Sequence, residues 1–524
     1  MLRRLVIALT ALFAATGVLV VAGYLFIFAA GTDRAAAAVP ADADAYVTLY
    51  LQPTTGQQLN LGSMLGKVPG FEDAASLDEK LNEISGRLLG QAGVNYEADV
   101  RPWLGNQVAL ALRAPSSVPQ PSALTAGSAL LLVSVKDRAL AEAAVQRIAA
   151  ERGLSPSRET YQGTVISVAP GASWAVLDDL LLIATDRPML EAALDAAADR
   201  RPSLADDADF SGAMRRLPPD HLAAAYLDIS GAAHATGVEG AAAGYSALGV
   251  ALVAEPDGLW LSGSAPFRAD AADDASRHAF AAASQVSTTA AWMPSGTQLA
   301  AVMFDLHGLL IKLEKGLADE PAAADLLTSL NQLRVLAGFG LGVNIDQDVL
   351  PMLDGETGLA ISDLATGTPH GELIIRPPDP SAASQTLDKL RNGLAGAGAT
   401  VTERQAGAVN VVSVDVPQLG SASWGMSGGV LVVGLTYDDV AAAFQAASGT
   451  SLADGAAYRD AWRLAGDRGG NELFVDIGSM ADASPNAFGM TGDARDILLS
   501  ISALGLSLPA RDDASQLRAA LRVR

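Results

Sequence analysis

The feature that most constrains this chain of 524 residues is that it repeats itself. Val39-Pro40-Ala41 precedes AYVTLYLQ, and Met293-Pro294-Ser295 precedes LAAVMFDLH. GVNYEADVRPWLGNQVALAL (Gly93 to Leu112) aligns with GVNIDQDVLPMLDGETGLAI (Gly342 to Ile361). Further on, ALLLVSVKDRALAEAAVQRIAAERG matches GELIIRPPDPSAASQTLDKLRNGLAGAG, and GASWAVLDDLLLIATDRPMLEAALDAA matches SASWGMSGGVLVVGLTYDDVAAAFQAA. SLADDADFSGAMRRL with a later YLDIS matches SLADGAAYRDAWRLA with a later FVDIG. Five blocks in one order and nearly one spacing require a unit that folds twice. The first copy is expected over 39–267, the second over 291–524, and an Ala-, Asp- and Ser-rich linker over 268–290.

Arg3 and Arg4 precede an uncharged apolar run, Leu5 to Gly31. A membrane-crossing helix needs about 20 apolar residues, more than the core of a signal peptide. Residues 1–31 are therefore expected to be a cytoplasmic tip and transmembrane helix, with the bilayer contacted through 5–30 and a linker over 32–38. Basic residues ahead of the run place the amino terminus in the cytoplasm and the body outside, a single-pass protein of the cell membrane. Cleavage near Ala35 to Ala38 is one alternative, and it also exports the body; a buried helix of a soluble protein is the other.

The formal net charge of -23 disfavours a nucleic-acid partner, whose phosphates call for clustered Lys and Arg. By the same argument it disfavours charge-driven adhesion to anionic lipid. Cysteine is absent, which removes disulfides, thiolate metal sites and thiol nucleophiles together. With half the residues apolar, large cores are available.

In the first copy, β-branched and apolar runs bounded by Gly, Pro and Asp predict strands at 46–51, 107–112, 129–135, 164–169, 174–177, 180–184, 222–228, 248–254 and 259–264. Helical spacing predicts helices containing Leu77–Leu89, after Asp137, and after Asp186, where Pro188 suits a first turn. The expected class is α+β: a mostly antiparallel sheet with helices on one face, made in two tandem copies. The order from Ala129 to Asp228 is similar to a ferredoxin-like split unit.

Taken together, VPADADAYVTLYLQP, GVNYEADVRPWLG and the ALLLVSVKD-helix block resemble the bacterial family known as domain of unknown function 3352. That resemblance implies an amino-terminal membrane segment ahead of an envelope body. It implies no activity and no catalytic residue. The Pro-Trp-Leu-Gly element of the first copy degrades to PMLDG in the second.

Candidate chemistry is sparse. Gly425-Met426-Ser427-Gly428-Gly429 matches a nucleophile elbow, which requires a helix after the serine. Here VLVVG follows, and the aligned residues Ala175 to Asp179 lack the motif, so a hairpin turn is expected. Asn344, Asp346 and Asp348, like Asn95, Glu97 and Asp99, alternate as in a calcium loop. The glycine such a loop needs at its sixth place is Val349 or Val100, so Asp99 and Asp348 are expected to cap a turn. His221, His234, His278, His307 and His370 form no metal spacing. Asp305 and His307 are expected on one face of a strand, as a surface pair.

Gly338, Gly340 and Gly342 read as a helix C-cap rather than a dinucleotide loop. Trp174 and Trp424 hold aligned places and are expected in the core. Leu309–Leu333 and its counterpart Leu59–Leu89 predict amphipathic helices that cover a sheet face or line a groove for an apolar ligand. No catalytic, cofactor-binding or metal-ligating residue is assigned. The leading expectation is a non-enzymatic binding module of the envelope, with an envelope protein or apolar ligand as partner. A lipid-like carrier is the alternative, and a hydrolase with an unrecognised site is a weaker one.

Overall fold

The computed structural model describes residues 33–51, 54–69, 71, 95–114, 127–236, 243–318, 324–364, 369–416, 420–466, 468–484 and 492–524. The anchor expected over 5–31 and the helix expected at 77–89 lie outside these residues. Among the described residues, no helix is long and apolar enough to cross a membrane. The chain divides into two compact units, Met1–Ser276 and Arg277–Arg524, with the division inside the helix Asp274–Ala283.

In the first unit the strands are β1 (Ala45–Tyr50), β2 (Leu104–Arg113), β3 (Ser128–Val135), β4 (Ser157–Tyr161), β5 (Thr164–Ala169), β6 (Ala172–Val176), β7 (Leu180–Ala184), β8 (Ala223–Asp228), β9 (Ala247–Glu255) and β10 (Gly258–Pro266). All their described pairings within the unit are antiparallel, in the order β4-β5-β6-β7-β3-β2-β1-β8-β9-β10. Nine of these strands coincide with expected ones. The unexpected one is β4, SRETY, which has no apolar alternation to announce it. It pairs only with β5 among the described strands, and charges such as Arg158 and Glu159 suit such an edge.

The second unit contains β11 (Leu299–Phe304), β12 (Glu356–Ser362), β13 (His370–Arg376), β14 (Thr400–Ala406), β15 (Val409–Val416), β16 (Gly420–Ser427), β17 (Val430–Gly434), β18 (Asn471–Val475), β19 (Ile501–Leu508), β20 (Ala510–Arg511) and β21 (Ala514–Val523). Its antiparallel order is β14-β15-β16-β17-β13-β12-β11-β18-β19-β21-β20.

Helices cover both faces of each sheet, not the one face expected. Along β3, Leu130 and Leu132 point to the core beneath the helix Arg187–Ala197. Val133 and Val135 point to a second core with Trp103, beneath the helix Arg138–Glu151. In the second unit, Ile375, Leu431 and Trp424 pack under the helix Pro380–Gly396. The alternate residues Ile374 and Val432 are fully buried, on the side where the helix Tyr437–Ser448 packs against β13 and β17. Successive side chains point to opposite faces, so a strand covered on both sides must be apolar at consecutive positions. LLLIA in β7 and VLVVG in β17 are such runs.

Asp137 and Asp186 cap their helices as expected, accepting from Leu140 N (3.0 Å) and Met189 N (2.8 Å). The ferredoxin-like likeness fails. Four strands, β4 to β7, run between those two helices, and β8 pairs with β1 and β9.

Candidate functional site

Most sequence candidates resolve into turns and caps. Ser427 ends β16 opposite Val430, and Gly428 and Gly429 take φ of 57° and 77° in a two-residue turn into β17. Positive φ at both central residues is the hairpin turn that matches strand twist, and no helix follows. Asn95 accepts from Ala98 N at 3.1 Å, while Asp99 accepts from Asn95 N at 2.9 Å. Asn344 and Asp348 repeat this, at 3.1 Å from Gln347 N and 2.8 Å from Asn344 N. Both aspartates are also tied to cations, Asp99 to Arg147 and Asp348 to Lys389. The Asn344 amide and Lys389 hold the Asp348 carboxyl below its usual range. Among the described residues, no three acids or histidines gather as metal ligands.

The expected Asp305–His307 strand pair does not form. β11 ends at Phe304, Asp305 adopts φ 56°, and a helix begins at Leu306. Asp305 caps it by accepting from Gly308 N (3.0 Å), and lies 3.6 Å from His278. His307 turns instead to Asp354, at 2.6 Å. His221 contacts the Pro218 carbonyl at 2.7 Å, and His370 contacts Asp439 at 2.9 Å. These imidazoles therefore have separate partners. His234 lies in the helix Ile229–Thr236. Gly342, at φ 67°, closes the helical turn Ala337–Leu341, with Val343 N bonded to Ala337 O, as a C-cap does. Trp174 and Trp424 are buried, in separate cores.

Two features escaped the sequence. The first is a buried acid pair in the second unit. Glu372 is 4% exposed on β13, opposite Gly434, with no hydrogen-bond partner among the described residues. Asp439, also 4% exposed, caps the helix Tyr437–Ser448 by accepting from Thr436 N, and takes His370 on its other oxygen. Burial first, and then Asp439, push the Glu372 carboxyl up to about 8. The signal was available: Glu372 shares the inward parity of Ile374 in GELIIR. The second is Glu356, which accepts from Ser287 Oγ, Thr288 N, Thr288 Oγ1 and Thr289 N, all within 2.8 Å. Burial opposes its charge, but those donors outweigh it and hold the carboxyl below its usual range.

The surface feature with most chemistry to offer is a helix pair in the second unit, Leu306–Ala318 and Ala324–Leu336, followed by the turn Ala337–Leu341. These helices do not cover the sheet as expected. Leu306–Ala318 packs on the turn Leu350–Asp354 and on its partner helix. Large apolar side chains are consequently left in water: Leu309 is 50% exposed, Leu313 55%, Val335 56%, Leu336 66% and Phe339 93%. Exposed large apolar side chains on two adjoining helices make this the candidate interaction surface. A described cavity beside the helix Pro380–Gly396 holds about 120 Å³ and is lined partly by Gln347, Asp348 and Lys389. That is well under the roughly 300 Å³ at which ligand pockets begin.

Fold and surface together define an α+β protein of antiparallel sheets that carries an exposed apolar helix pair. The chain belongs to the family described as Protein of unknown function (DUF3352), whose profile matches residues 5–524. No curated protein matches it. Among solved structures, crystal form III of TP0453 is 12% identical, covering 46% of this chain and 82% of that one, with a TM-score of 0.25. Crystal form I of TP0453 is 11% identical over 45% and 80%, with a TM-score of 0.24.

Proposed function

We propose that this chain is a membrane-anchored, extracytoplasmic interaction module, non-enzymatic, built from two copies of one α+β unit. The exposed apolar helix pair at Leu306–Ala318 and Ala324–Leu336 carries the reading, because side chains left in water at this density are a standing driving force for association. The apolar run at 5–31 supports the anchor, and Arg3 and Arg4 support its orientation. The duplication is supported by the strand orders, which match strand for strand from β4 through β10 and from β14 through β21 when the two-residue β20 is set aside. It is supported again by Trp174 opposite Ile183 and Trp424 opposite Val433, in corresponding strands.

The test is made in cells. A photo-reactive benzophenone side chain replaces Leu313 in the full chain, and a second variant carries it at Thr402, on the polar strand β14. The reading expects crosslinked adducts from position 313 and none from 402. Equal yields from the two positions overturn it. Orientation is checked separately with a reporter active only in the cytoplasm, fused after Arg524. It should stay silent, and a signal overturns the extracytoplasmic placement.

A further inference from the structure

We propose that the partner of this helix pair is a lipid bilayer surface, with the apolar side chains seated among acyl chains and Lys312 at headgroup phosphates. The proposal rests on the interaction reading above and specifies its occupant.

Sequence and geometry set up the arrangement. At about 100° per residue, Leu306, Leu309, Leu310, Leu313 and Leu317 share one arc of the first helix, roughly 100° wide. Lys312 flanks that arc and Lys315 lies across from it. Both lysines are exposed, and no described carboxylate pairs with either. The acid beside them, Glu314, is already taken by Arg334, which grips both its oxygens at 2.6 and 2.7 Å. A chain of net charge -23 thus presents a cation, Lys312, with no carboxylate partner among the described residues, at the edge of this apolar stripe. Charge at that edge is complementary to anionic phosphate. The overall acidity does not cancel it, because screening confines its influence to about 8–10 Å.

Shape favours lipid over a protein groove. The exposed residues do not form one face. Leu309 and Leu313 belong to the first helix's stripe. Val335 and Leu336 flank the second, and Phe339 stands in the turn that ends it. A folded partner would need pockets for anchors in several directions, whereas a fluid surface conforms to them. Helices of this composition lie in the interface with their apolar side roughly 5–10 Å deep. An anchor at 5–31 would hold the body at that surface, so weak insertion would suffice.

The experiment uses the full chain, which contains no cysteine. Leu313→Cys, Phe339→Cys and Thr402→Cys each create a single thiol for an environment-sensitive fluorophore. Each protein is reconstituted in vesicles of phosphatidylcholine with phosphatidylglycerol that carry a quencher on the acyl chain. Labels at 313 and 339 are expected to be quenched several-fold more than the label at 402. Adding Lys312→Glu should reduce that excess in the anionic vesicles and leave it nearly unchanged in pure phosphatidylcholine. Quenching at 313 and 339 no greater than at 402 overturns the proposal. If that happens while the benzophenone at 313 still crosslinks to a protein in cells, the lipid assignment falls and the interaction reading stands. If position 313 also gives no crosslink above position 402, both fall.

Discussion

Glu372 gives the sharpest prediction at the scale of a single residue. A carboxyl raised in the folded state binds its proton more tightly there than in the unfolded chain. Its stability contribution is fully present below the unfolded value near 4.5 and is lost as pH rises to about 8. At about 1.4 kcal/mol per pH unit, the loss is on the order of 4–5 kcal/mol. Denaturant midpoints for the second unit should therefore fall across that window, and Glu372→Gln should flatten the fall. If the wild-type and Gln profiles run parallel, Glu372 is not the titrating group. Asp439 makes the effect local, since the second negative charge would develop beside the cap of the helix Tyr437–Ser448. Ser427 makes the opposite prediction. As a turn residue, its change to Ala should move stability by no more than about 0.5 kcal/mol. Labelling of Ser427 by a serine-reactive phosphonate would count against the hairpin.

At the scale of elements, much was readable from local pattern, and the failures share a cause. Strands such as β7 and β17 were announced by apolar runs, and helices by Asp137 and Asp186 ahead of helical spacing. The burial of both sheet faces was written in LLLIA and VLVVG, but deciding what covers each face requires the tertiary partner. β4 carries no apolar signal because it lies at an edge. The helix pair was misread because an amphipathic stripe specifies only that something apolar covers it, not that the chain itself does. The acid pair escaped because its members come from β13 and a helix cap, more than sixty residues apart. Packing between elements predicts a contrast of two glycines in one helix. A Cβ on Gly393 would lie 2.4 Å from the Leu341 carbonyl oxygen, backbone that cannot swing aside, whereas a Cβ on Gly396 meets nothing within 4 Å. Gly393→Ala should cost about 1–3 kcal/mol by overpacking. Gly396→Ala should be neutral or gain up to about 1 kcal/mol from helix propensity. Equal effects in thermal denaturation would mean the turn Ala337–Leu341 does not press on that helix.

At the scale of the whole molecule, the proposed duplication predicts that a buried charge has changed sides. Val39 O accepts from Leu204 N beside the bridge Pro40–Ser203, and Met293 O accepts from Leu452 N beside the bridge Pro294–Ser451. Counting six residues back from each aligns Asp33 with Ser287. Register aligns Gln107, opposite Tyr50, with Glu356, opposite Phe304. In the first unit the carboxylate is Asp33, which accepts from Gln107 Nε2 at 2.6 Å and from Tyr46 OH at 2.7 Å. In the second it is Glu356, which accepts from Ser287. Each unit keeps one carboxylate at the start of the same short helical turn, supplied from opposite partners. Asp33→Ser alone leaves Tyr46 OH short of an acceptor and Gln107 Nε2 with Thr48 Oγ1 alone. Gln107→Glu alone sets a second carboxylate against Asp33. Each should cost about 1–3 kcal/mol. Together they rebuild the pairing of the other unit, and the new Glu gains the backbone N–H groups at the turn's open end as acceptable donors. The double variant should therefore be more stable than the sum of the singles by 1 kcal/mol or more, roughly, in a double-mutant cycle read by denaturation. Additivity within about 0.5 kcal/mol would show that the two positions do not exchange roles. The correspondence of the units would then rest on strand order alone.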